Sequence, residues 1–182
     1  MRYLLTSEGY DYYLFKPNPF RLFHEVLDDR YQKMRFRFTA ASLRGSVIYY
    51  MLKGGKTVGY CLLEPGGWRY TFAEKSDVVI APYVIAPGER GKGLGRLLID
   101  TVISELYSGG GRVWAVVGED NPASMKTLER AGFTRYSKAR KEGIFNKFFL
   151  SEEPQARYFV YFKDKGKAKT DSCSPARGAV MG

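Results

Sequence analysis

A short run of glycines and cations is the part of this sequence that most directly suggests chemistry. Residues Arg90 to Gly95 read R-G-K-G-L-G, and a helix-like apolar pattern follows from Leu94 to Leu106. Glycines let backbone N–H groups approach a ligand closely. The start of a helix adds partial positive charge at the same place. The run therefore predicts a pyrophosphate site, to which the side chains of Arg90, Lys92 and Arg96 add charge.

The spacing of these glycines separates three kinds of phosphate-binding loop. The pattern G-x-x-x-x-G-K-[ST] does not occur in the chain. The dinucleotide pattern G-x-G-x-x-G begins at Gly91 and Gly93 but has Arg96 in its third glycine position. The pattern that fits is [R/Q]-x-x-G-x-[G/A], with Arg90, Gly93 and Gly95. A solvated surface turn is the alternative interpretation of the same six residues.

A second informative segment covers residues 121–133 and reads N-P-A-S-M-K-T-L-E-R-A-G-F. It follows a strand-like apolar run, Val113 to Val117. Asn121 suits a helix N-cap, Pro122 the first helical position, and Gly132 the left-handed residue that ends a helix. A plain capped helix would explain this segment taken alone.

In their order along the chain, the two segments resemble the core motifs of the GNAT superfamily of N-acyltransferases. The resemblance covers about Ser76 to Tyr136, and the second segment is nearest to the ribosomal-protein N-terminal acetyltransferase branch. It implies the fold class α/β (α+β), a GNAT-like mixed central sheet flanked by helices, with strands 4 and 5 parallel and splayed apart. It also implies an N-acetyltransferase that moves acetyl from acetyl-CoA to a primary amine by direct attack in a ternary complex.

The same resemblance implies which residues hold acetyl-CoA. The diverging strands would be Asp77–Ile85, with a bulge at Pro82, and Arg112–Gly118, with the pantetheine arm between them. Asn121 and Ser124 would line the groove, although helix capping is an equally good explanation for both. The expected donor-binding residues are Tyr83, Val84, Ile85, Arg90, Gly91, Lys92, Gly93, Leu94, Gly95, Arg96, Asn121 and Ser124.

Proton transfer is less clearly encoded. Many GNAT proteins place a tyrosine acid where this chain has Leu128, so the proton source for the leaving thiolate is left open between another group, a water and no acid. Glu119 and Tyr83 are the candidate catalytic bases, with a solvated carboxylate and a core aromatic as the alternatives. His24 is a weaker candidate.

The rest of the chain predicts the elements that position these residues. A helix is expected over Phe20–Tyr31, and Met34–Ala41 is either strand or irregular. The first helix and the Met34–Arg44 segment would form an aromatic and cationic lid that suits an anionic or sugar-like acceptor, such as an amino-sugar nucleotide. A mixed surface and core is the alternative for these residues, and it is slightly favoured. Further strands are expected at Tyr12–Phe15, Ser46–Leu52, Thr57–Leu63, Gly143–Leu150 and Arg157–Lys163.

Length and composition limit the class of protein. The 182 residues, 45% of them hydrophobic, predict a single domain over 1–163 followed by a disordered basic tail over 164–182. No signal peptide or long apolar run is visible, which predicts a cytoplasmic protein with no membrane partner. The two cysteines, Cys61 and Cys173, have no metal-type spacing, so no metal is expected.

The net charge of +10 suits an anionic donor such as CoA, or an anionic acceptor. Nucleic acid is not the expected partner, and a homodimer is left open. Two alternatives to a small-molecule enzyme remain. One is a protein N-terminal acetyltransferase, and the other is a non-catalytic GNAT-shaped module that binds an anionic partner.

Overall fold

A single mixed sheet organises the molecule. The computed structural model describes residues 1–27, 35–109, 111–143 and 145–164, so most of the predicted tail lies outside the described residues. Short turns at Pro87–Glu89 (3-10) and Val102–Leu106 (π) supplement the main elements. Those elements are β1 (Arg2–Ser7), β2 (Tyr10–Phe15), α1 (Arg35–Leu43), β3 (Val47–Lys53), β4 (Lys56–Pro65), β5 (Val78–Ile85), α2 (Leu94–Thr101), β6 (Arg112–Gly118), α3 (Pro122–Arg130), β7 (Thr134–Glu142), β8 (Lys147–Leu150) and β9 (Tyr158–Asp164).

Among the described strands, the order across the sheet is β1-β2-β3-β4-β5-β6-β9-β7-β8. The β5–β6 pair is parallel, and the other neighbouring pairs are antiparallel. These two strands are the pair expected as strands 4 and 5, since β1 was not among the expected strands. The predicted mixed sheet with flanking helices is confirmed.

The parallel pair separates after three residues. Pairing runs from Val78 opposite Val113 to Ile80 opposite Ala115. Beyond that point β5 stays with β4 and β6 stays with β9. The register between β4 and β5 also shifts between Ile80 and Tyr83, which is the bulge predicted at Pro82. The bulged end of β5 and the far end of β6 therefore form the two walls of a gap.

Helices α2 and α3 cover one face of the sheet. The predicted apolar stripe is present, since Leu94, Leu98 and Val102 are buried against the sheet. The predicted helix over Leu94–Leu106 forms as α2 followed by a π turn, in which the Tyr107 N–H donates to the Val102 carbonyl at 2.8 Å. This packing fixes the start of α2 beside the gap.

The opposite face carries two aromatic clusters. One gathers Tyr50, Tyr60 and Phe38 of α1, and the other gathers Tyr70, Trp114, Phe148 and Val160. Met34–Ala41, left open between strand and irregular, is helical from residue 35 onward.

The predicted helix over Phe20–Tyr31 is wrong for residues 20–27, and residues 28–31 lie outside the described part. Asn18 Oδ1 accepts from the N–H groups of Phe20 and Arg21 at 3.0 and 2.9 Å, as a helix N-cap would, but no helix follows. The Tyr50 hydroxyl accepts from the N–H groups of His24 and Glu25 at 3.0 and 3.3 Å, which a helix beginning at Phe20 would need for its own hydrogen bonds. The apolar residues at helical spacing in this segment pack against the sheet, although the backbone is not helical.

Two strands escape sequence reasoning. β1 precedes the single early strand expected at Tyr12–Phe15, and β7 precedes Gly143, which is a turn residue with φ of 68° and not the start of a strand. Ala139 is the one fully buried residue of β7, so this strand lacks the apolar alternation that reveals a half-buried strand.

Candidate active site

A cleft of about 470 Å³ opens where β5 and β6 diverge. Its walls are Ile80–Tyr83 of β5 and Ala115–Gly118 of β6. We call the side formed by the start of α3 and the residues before α2 the helix end. We call the side formed by the 66–77 loop and the β7–β8 hairpin the hairpin end. The hairpin end is lined by Arg69, Tyr70, Lys141, Asn146, Phe148 and Tyr158.

The glycine-rich loop presents backbone N–H groups at the helix end. Gly91 and Gly93 both have φ of 80°, a conformation that favours glycine, and Gly93 is the N-cap of α2 without a capping side chain. The first helical hydrogen bond runs from the Arg96 N–H to the Gly93 carbonyl at 3.1 Å. The N–H groups of Leu94 and Gly95 precede it, so they are available to an anion in front of the helix.

Gly95 has a different role from the other two glycines. A Cβ on this residue would lie 3.2 Å from Thr127 Cγ2 and 3.5 Å from the Tyr83 ring. The missing side chain therefore lets α2 approach α3 and β5 closely. The sequence motif does not distinguish this packing role from ligand contact.

The three loop cations are engaged within the chain. Arg90 Nε donates to the Ile85 carbonyl at 3.1 Å, Lys92 pairs with Glu89 at 2.9 Å, and Arg96 pairs with Asp100 at 3.2 Å. The hydrogen bond from Lys92 holds the pKa of Glu89 below its usual range. Two carboxylates therefore offset part of the positive charge of this loop.

The pairing register determines which β5 backbone groups face the gap. The Ala86 N–H donates to the Val58 carbonyl at 2.9 Å, and residues alternate sides along a strand. The backbone of Val84 therefore faces β4, whereas Tyr83 and Ile85 turn toward the gap. Arg90 contacts the Ile85 carbonyl from that side. Pro82 has no N–H, so Tyr83 and Ile85 supply the donors in this stretch.

The Tyr83 side chain bridges β5 and α3. Its hydroxyl donates to the Ser124 carbonyl at 3.4 Å, and Tyr83 lines the cleft together with Asn121 and Ser124. Asn121 Oδ1 accepts from the Ser124 N–H at 3.1 Å, so the predicted N-cap is present. Asn121 therefore caps the helix through the Ser124 N–H, and both residues also line the cleft.

The other candidate catalytic groups lie away from the cleft lining. Glu119 Oε1 is 3.8 Å from Arg157 Nε, and 44% of the Glu119 side chain is exposed. His24 Nδ1 accepts from Arg21 at 2.7 Å. Leu128 is fully buried in the core under α2 and α3. Burial raises the pKa of the Cys61 thiol to about 12, which excludes it as a thiolate nucleophile at neutral pH.

The hairpin end is the part of the site that sequence reasoning missed. Tyr70 and Phe148 stack with ring centroids 5.6 Å apart and planes 6° from parallel, and the Tyr70 hydroxyl donates to Glu64 at 3.2 Å. These residues are far apart in sequence and belong to no motif. The high aromatic content of the chain was the available sequence signal, but it does not indicate which aromatic residues form the hairpin end.

Asp77 holds the 66–77 loop against β6. This buried carboxylate accepts from the Arg112 N–H at 2.8 Å, from Trp114 Nε1 at 2.8 Å and from the Glu74 N–H at 2.9 Å. Its bond to Glu74, three residues earlier, is a turn contact. Its bonds to β6 also fix the hairpin end to the parallel pair.

Together these features accommodate a long ligand with an anionic part. N–H groups before α2 can hold the anion, and the outward-facing backbone of β5 can pair with an extended amide-containing arm. The cleft then receives the reactive group, and the hairpin end leaves space for a second substrate.

Within the described ranges, no group of three or more His, Cys, Asp or Glu residues is arranged to hold a metal ion. None of the helices in the described part of the chain is long and apolar enough to cross a membrane.

Solved structures share this fold. An IAA acetyltransferase from Bacillus cereus is 12% identical, with a TM-score of 0.57 over 83% of this chain and 97% of the other. The ribosomal-protein-S5-alanine acetyltransferase from Vibrio fischeri is 15% identical, with a TM-score of 0.55 over 88% and 95%. A phosphinothricin acetyltransferase from Sinorhizobium meliloti, solved in complex with AcCoA, is 19% identical, with a TM-score of 0.52 over 79% and 76%.

No curated protein matches this sequence significantly. A family model described as Acetyltransferase (GNAT) family matches residues 11–133, which include the diverging strands, the glycine-rich loop and α3. The match confirms the predicted GNAT-type acyltransferase and, with it, acetyl-CoA as the donor that this family uses. On this evidence the chain belongs to the GNAT family of acetyltransferases.

Proposed function

We propose that this protein transfers the acetyl group of acetyl-CoA to the primary amine of a small molecule, by direct attack in a ternary complex. The observation that carries the proposal is the gap between β5 and β6 together with the glycine-capped start of α2, whose first turn packs at Gly95 against Tyr83 of the cleft wall. A helix start and a gap between strands are separate features, and a donor with a pyrophosphate and an extended arm needs both.

The residues at the helix end have distinct roles in donor binding. The N–H groups around Gly91, Gly93 and Leu94 bind the pyrophosphate, and Arg90, Lys92 and Arg96 make the loop more attractive to anions at long range. The side chains of Asn121 and Ser124 line the opposite wall of the groove. The backbone N–H of Tyr83 or Ile85 polarises the thioester oxygen, a contribution worth about 100- to 1000-fold in rate.

Tyr83 is the group we assign to proton transfer. A phenol is protonated at neutral pH, so Tyr83 is a candidate acid for the leaving thiolate and a poor base. Side chains on a helix lean toward its N-terminus, so a tyrosine at position 128 would cover the turn around Ser124. The Tyr83 hydroxyl reaches the same turn from the strand side, at 3.4 Å from the Ser124 carbonyl.

Glu119 remains the alternative for proton removal from the amine, acting through water at the edge of the cleft. Its place after β6, between Gly118 and Asn121 of the lining, supports this assignment, whereas its contact with Arg157 opposes it. Direct escape of the amine proton to solvent needs no residue at all.

The acceptor in this proposal is a small amine such as an amino sugar or its nucleotide. A protein N-terminus is the second candidate acceptor. Ser124 and Leu128 support it, because they match the motif of the ribosomal-protein branch. The likeness to the Vibrio fischeri structure adds to that candidate only through the fold. Amino-sugar and peptide panels run side by side distinguish the two.

Calorimetric titration with acetyl-CoA tests the donor site. Gly93→Glu places a carboxylate in front of α2 and should weaken binding at least about 100-fold, because the anion and the new charge compete for the same N–H groups. Gly55→Glu is the matched control, since Gly55 also has positive φ (77°) with open space around it, but lies in the β3–β4 turn. Absence of binding by the unmodified protein, or equal losses in the two variants, would reject the proposal.

A further inference from the structure

A buried arginine forms part of the hairpin end of the cleft. Arg69 is 6% exposed, and its guanidinium carbon lies 5.6 Å from the Tyr70 ring centroid and 5.3 Å from the Phe148 ring centroid. The Phe148 N–H donates to the Arg69 carbonyl at 2.7 Å, and the Tyr70 N–H donates to the Gly67 carbonyl at 2.7 Å. Both backbone bonds and both rings therefore fix the position of this charge beside the cleft.

A second cation faces the same space from another element. Lys141 of β7 lines the cleft, and its Nζ lies 5.8 Å from the Tyr158 ring centroid. Among the described residues that line the cleft, Arg69 and Lys141 are the charged ones, and neither Asp nor Glu appears. The lining is therefore electropositive at its hairpin end.

Three carboxylates in the described part of the chain lie near this end without lining the cleft. Glu64 is buried behind Tyr70 and accepts from its hydroxyl at 3.2 Å. Glu142 and Glu153 both pair with Arg140, at 2.7 and 3.0 Å. Arg69 and Lys141 are themselves lining residues, so their charges border the space that the second substrate would occupy.

The positive charge continues at the outer rim. Trp68 and Phe145, whose rings lie 5.5 Å apart, directly precede the lining residues Arg69 and Asn146. Two more cations stack on Trp68: Arg44 at 5.0 Å and Lys147 at 5.9 Å from its ring centroid. Clustered cations around a low-dielectric opening raise the local concentration of anionic molecules.

From these contacts we infer that the hairpin end binds an anionic group of the acceptor, so that the substrate is an amine that also carries a carboxylate or a phosphate. The inference rests on the proposed acetyl transfer, since it names the substrate class for the same cleft. Arg69 is the principal anion-binding residue, because a guanidinium matches carboxylate and phosphate geometry, and Lys141 adds a second contact.

The arrangement also explains how an amine becomes reactive without a base in the lining. Two nearby cations lower the pKa of an incoming ammonium group, which then releases its proton to water. The neutral nitrogen forms the bond to the acetyl carbon and loses a proton to water, and the carbon–sulfur bond breaks. The thiolate receives a proton from Tyr83, whose phenolate then regains a proton from water. A simple cationic amine would be repelled, whereas an anionic group on the same molecule offsets that repulsion.

Matched pairs of acceptors test the inference. The pairs are glucosamine 6-phosphate against glucosamine, and alanine against alaninamide, measured both by calorimetric binding and by CoA release. We expect the charged member of at least one pair to be preferred by about 10-fold or more, and the pair that responds identifies phosphate or carboxylate. Equal use of both members, or preference for the neutral ones, would overturn the inference.

Variants assign the preference to residues. Arg69→Met keeps the length of the side chain and should reduce the preference at least about 10-fold, and Lys141→Met should reduce it about 3-fold. Neither should change acetyl-CoA affinity. Lys138→Met is the matched control on β7, since Lys138 is outside the cleft lining and lies over the Phe159 ring. Equal preference in the unmodified protein and both variants would show that these cations do not select the acceptor.

The readouts separate this inference from the proposed reaction. If an anionic amine binds and Arg69→Met abolishes that binding, while acetyl-CoA does not bind, the anion site stands and acetyl transfer fails. If acetyl-CoA binds but no anionic amine binds or is acetylated, the anion site fails and the donor site stands. Where Arg69→Met does not fold, the acceptor pairs and Lys141→Met decide the result.

Discussion

The two ends of the cleft are built in different ways. At the helix end, we propose that the donor is bound by backbone groups of a continuous stretch from Tyr83 to Arg96, and Asn121 and Ser124 of α3 line the cleft. At the hairpin end, side chains come from the 66–77 loop, β7, β8 and β9. The first end depends on backbone conformation, and the second depends on side chains brought together by the sheet.

This difference predicts how each end responds to mutation. Backbone N–H groups survive most side-chain changes, so the helix end should be sensitive mainly to substitutions that alter φ, add charge or disturb helix packing. The hairpin end should be sensitive to truncation of individual side chains and to loss of its anchor. Four predictions test this contrast, from the largest expected effect to the smallest.

Loss of Asp77, which holds the 66–77 loop against β6, should have the largest effect. Asp77→Ala removes three hydrogen bonds and leaves the Trp114 indole N–H buried without its acceptor, so we expect a loss of about 3 kcal/mol or more in the free energy of unfolding. Urea unfolding monitored by tryptophan fluorescence measures it. Asp120→Ala, an exposed residue after β6, should change stability by less than about 0.5 kcal/mol. A loss below about 1 kcal/mol for Asp77→Ala would show that the loop is held by other contacts.

Tyr83 is the exception at the helix end, because there a side chain acts. Tyr83→Phe keeps the ring and its packing but removes the hydroxyl, so we expect kcat to fall about 100-fold while acetyl-CoA affinity changes less than about 3-fold. Tyr136→Phe, at a ring that is 53% exposed, is the matched control and should leave kcat unchanged. An unaltered kcat in Tyr83→Phe would assign proton transfer to water or to Glu119.

The packing role of Gly95 gives a smaller and more specific effect. Gly95→Ala should destabilise the protein by about 1 kcal/mol, because contact with the Thr127 methyl outweighs the better helix propensity of alanine. Thr127→Ser removes that methyl and keeps the hydroxyl that donates to the Ala123 carbonyl. In the Thr127→Ser background, Gly95→Ala should be neutral or stabilising. Equal effects in both backgrounds would show that packing between α2 and α3 does not limit the size of the side chain at residue 95.

The loop cations should have the smallest effect. Lys92→Met and Arg96→Met should each weaken acetyl-CoA binding about 3-fold or less, because both side chains are more than half exposed and already paired. Calorimetry at low and high salt measures this, and the difference between variants and unmodified protein should shrink as salt rises. A loss above about 30-fold for either variant would mean that side chains, and not the backbone, hold the anion.

Local signals explain what sequence reasoning found. Asn121, Pro122 and Gly132 specify the start and end of α3 through short-range backbone preferences, and all three lie where those preferences place them. The bulge at Pro82 follows from a missing N–H within a strand. Each inference needed only residues close together in the chain.

The errors have the opposite origin. The expected helix at Phe20–Tyr31 loses the N–H groups of His24 and Glu25 to Tyr50, which belongs to a strand that begins about twenty residues later in the chain. β7 is recognised only by its pairing with β9 and β8. In both cases a partner that is distant in the sequence determines the local conformation, and the residues of the segment do not indicate which partner that is.

By itself, the sequence determined the glycine-capped helix, the parallel strand pair around it and the family to which they point, because these depend on backbone conformations set by neighbouring residues. Only the tertiary structure brought together the residues of the hairpin end, where we propose that the second substrate binds. Arg69 and Lys141 are 72 residues apart in the chain. The sheet brings both of them to the same cleft, since β-pairing joins segments without regard to their separation in sequence.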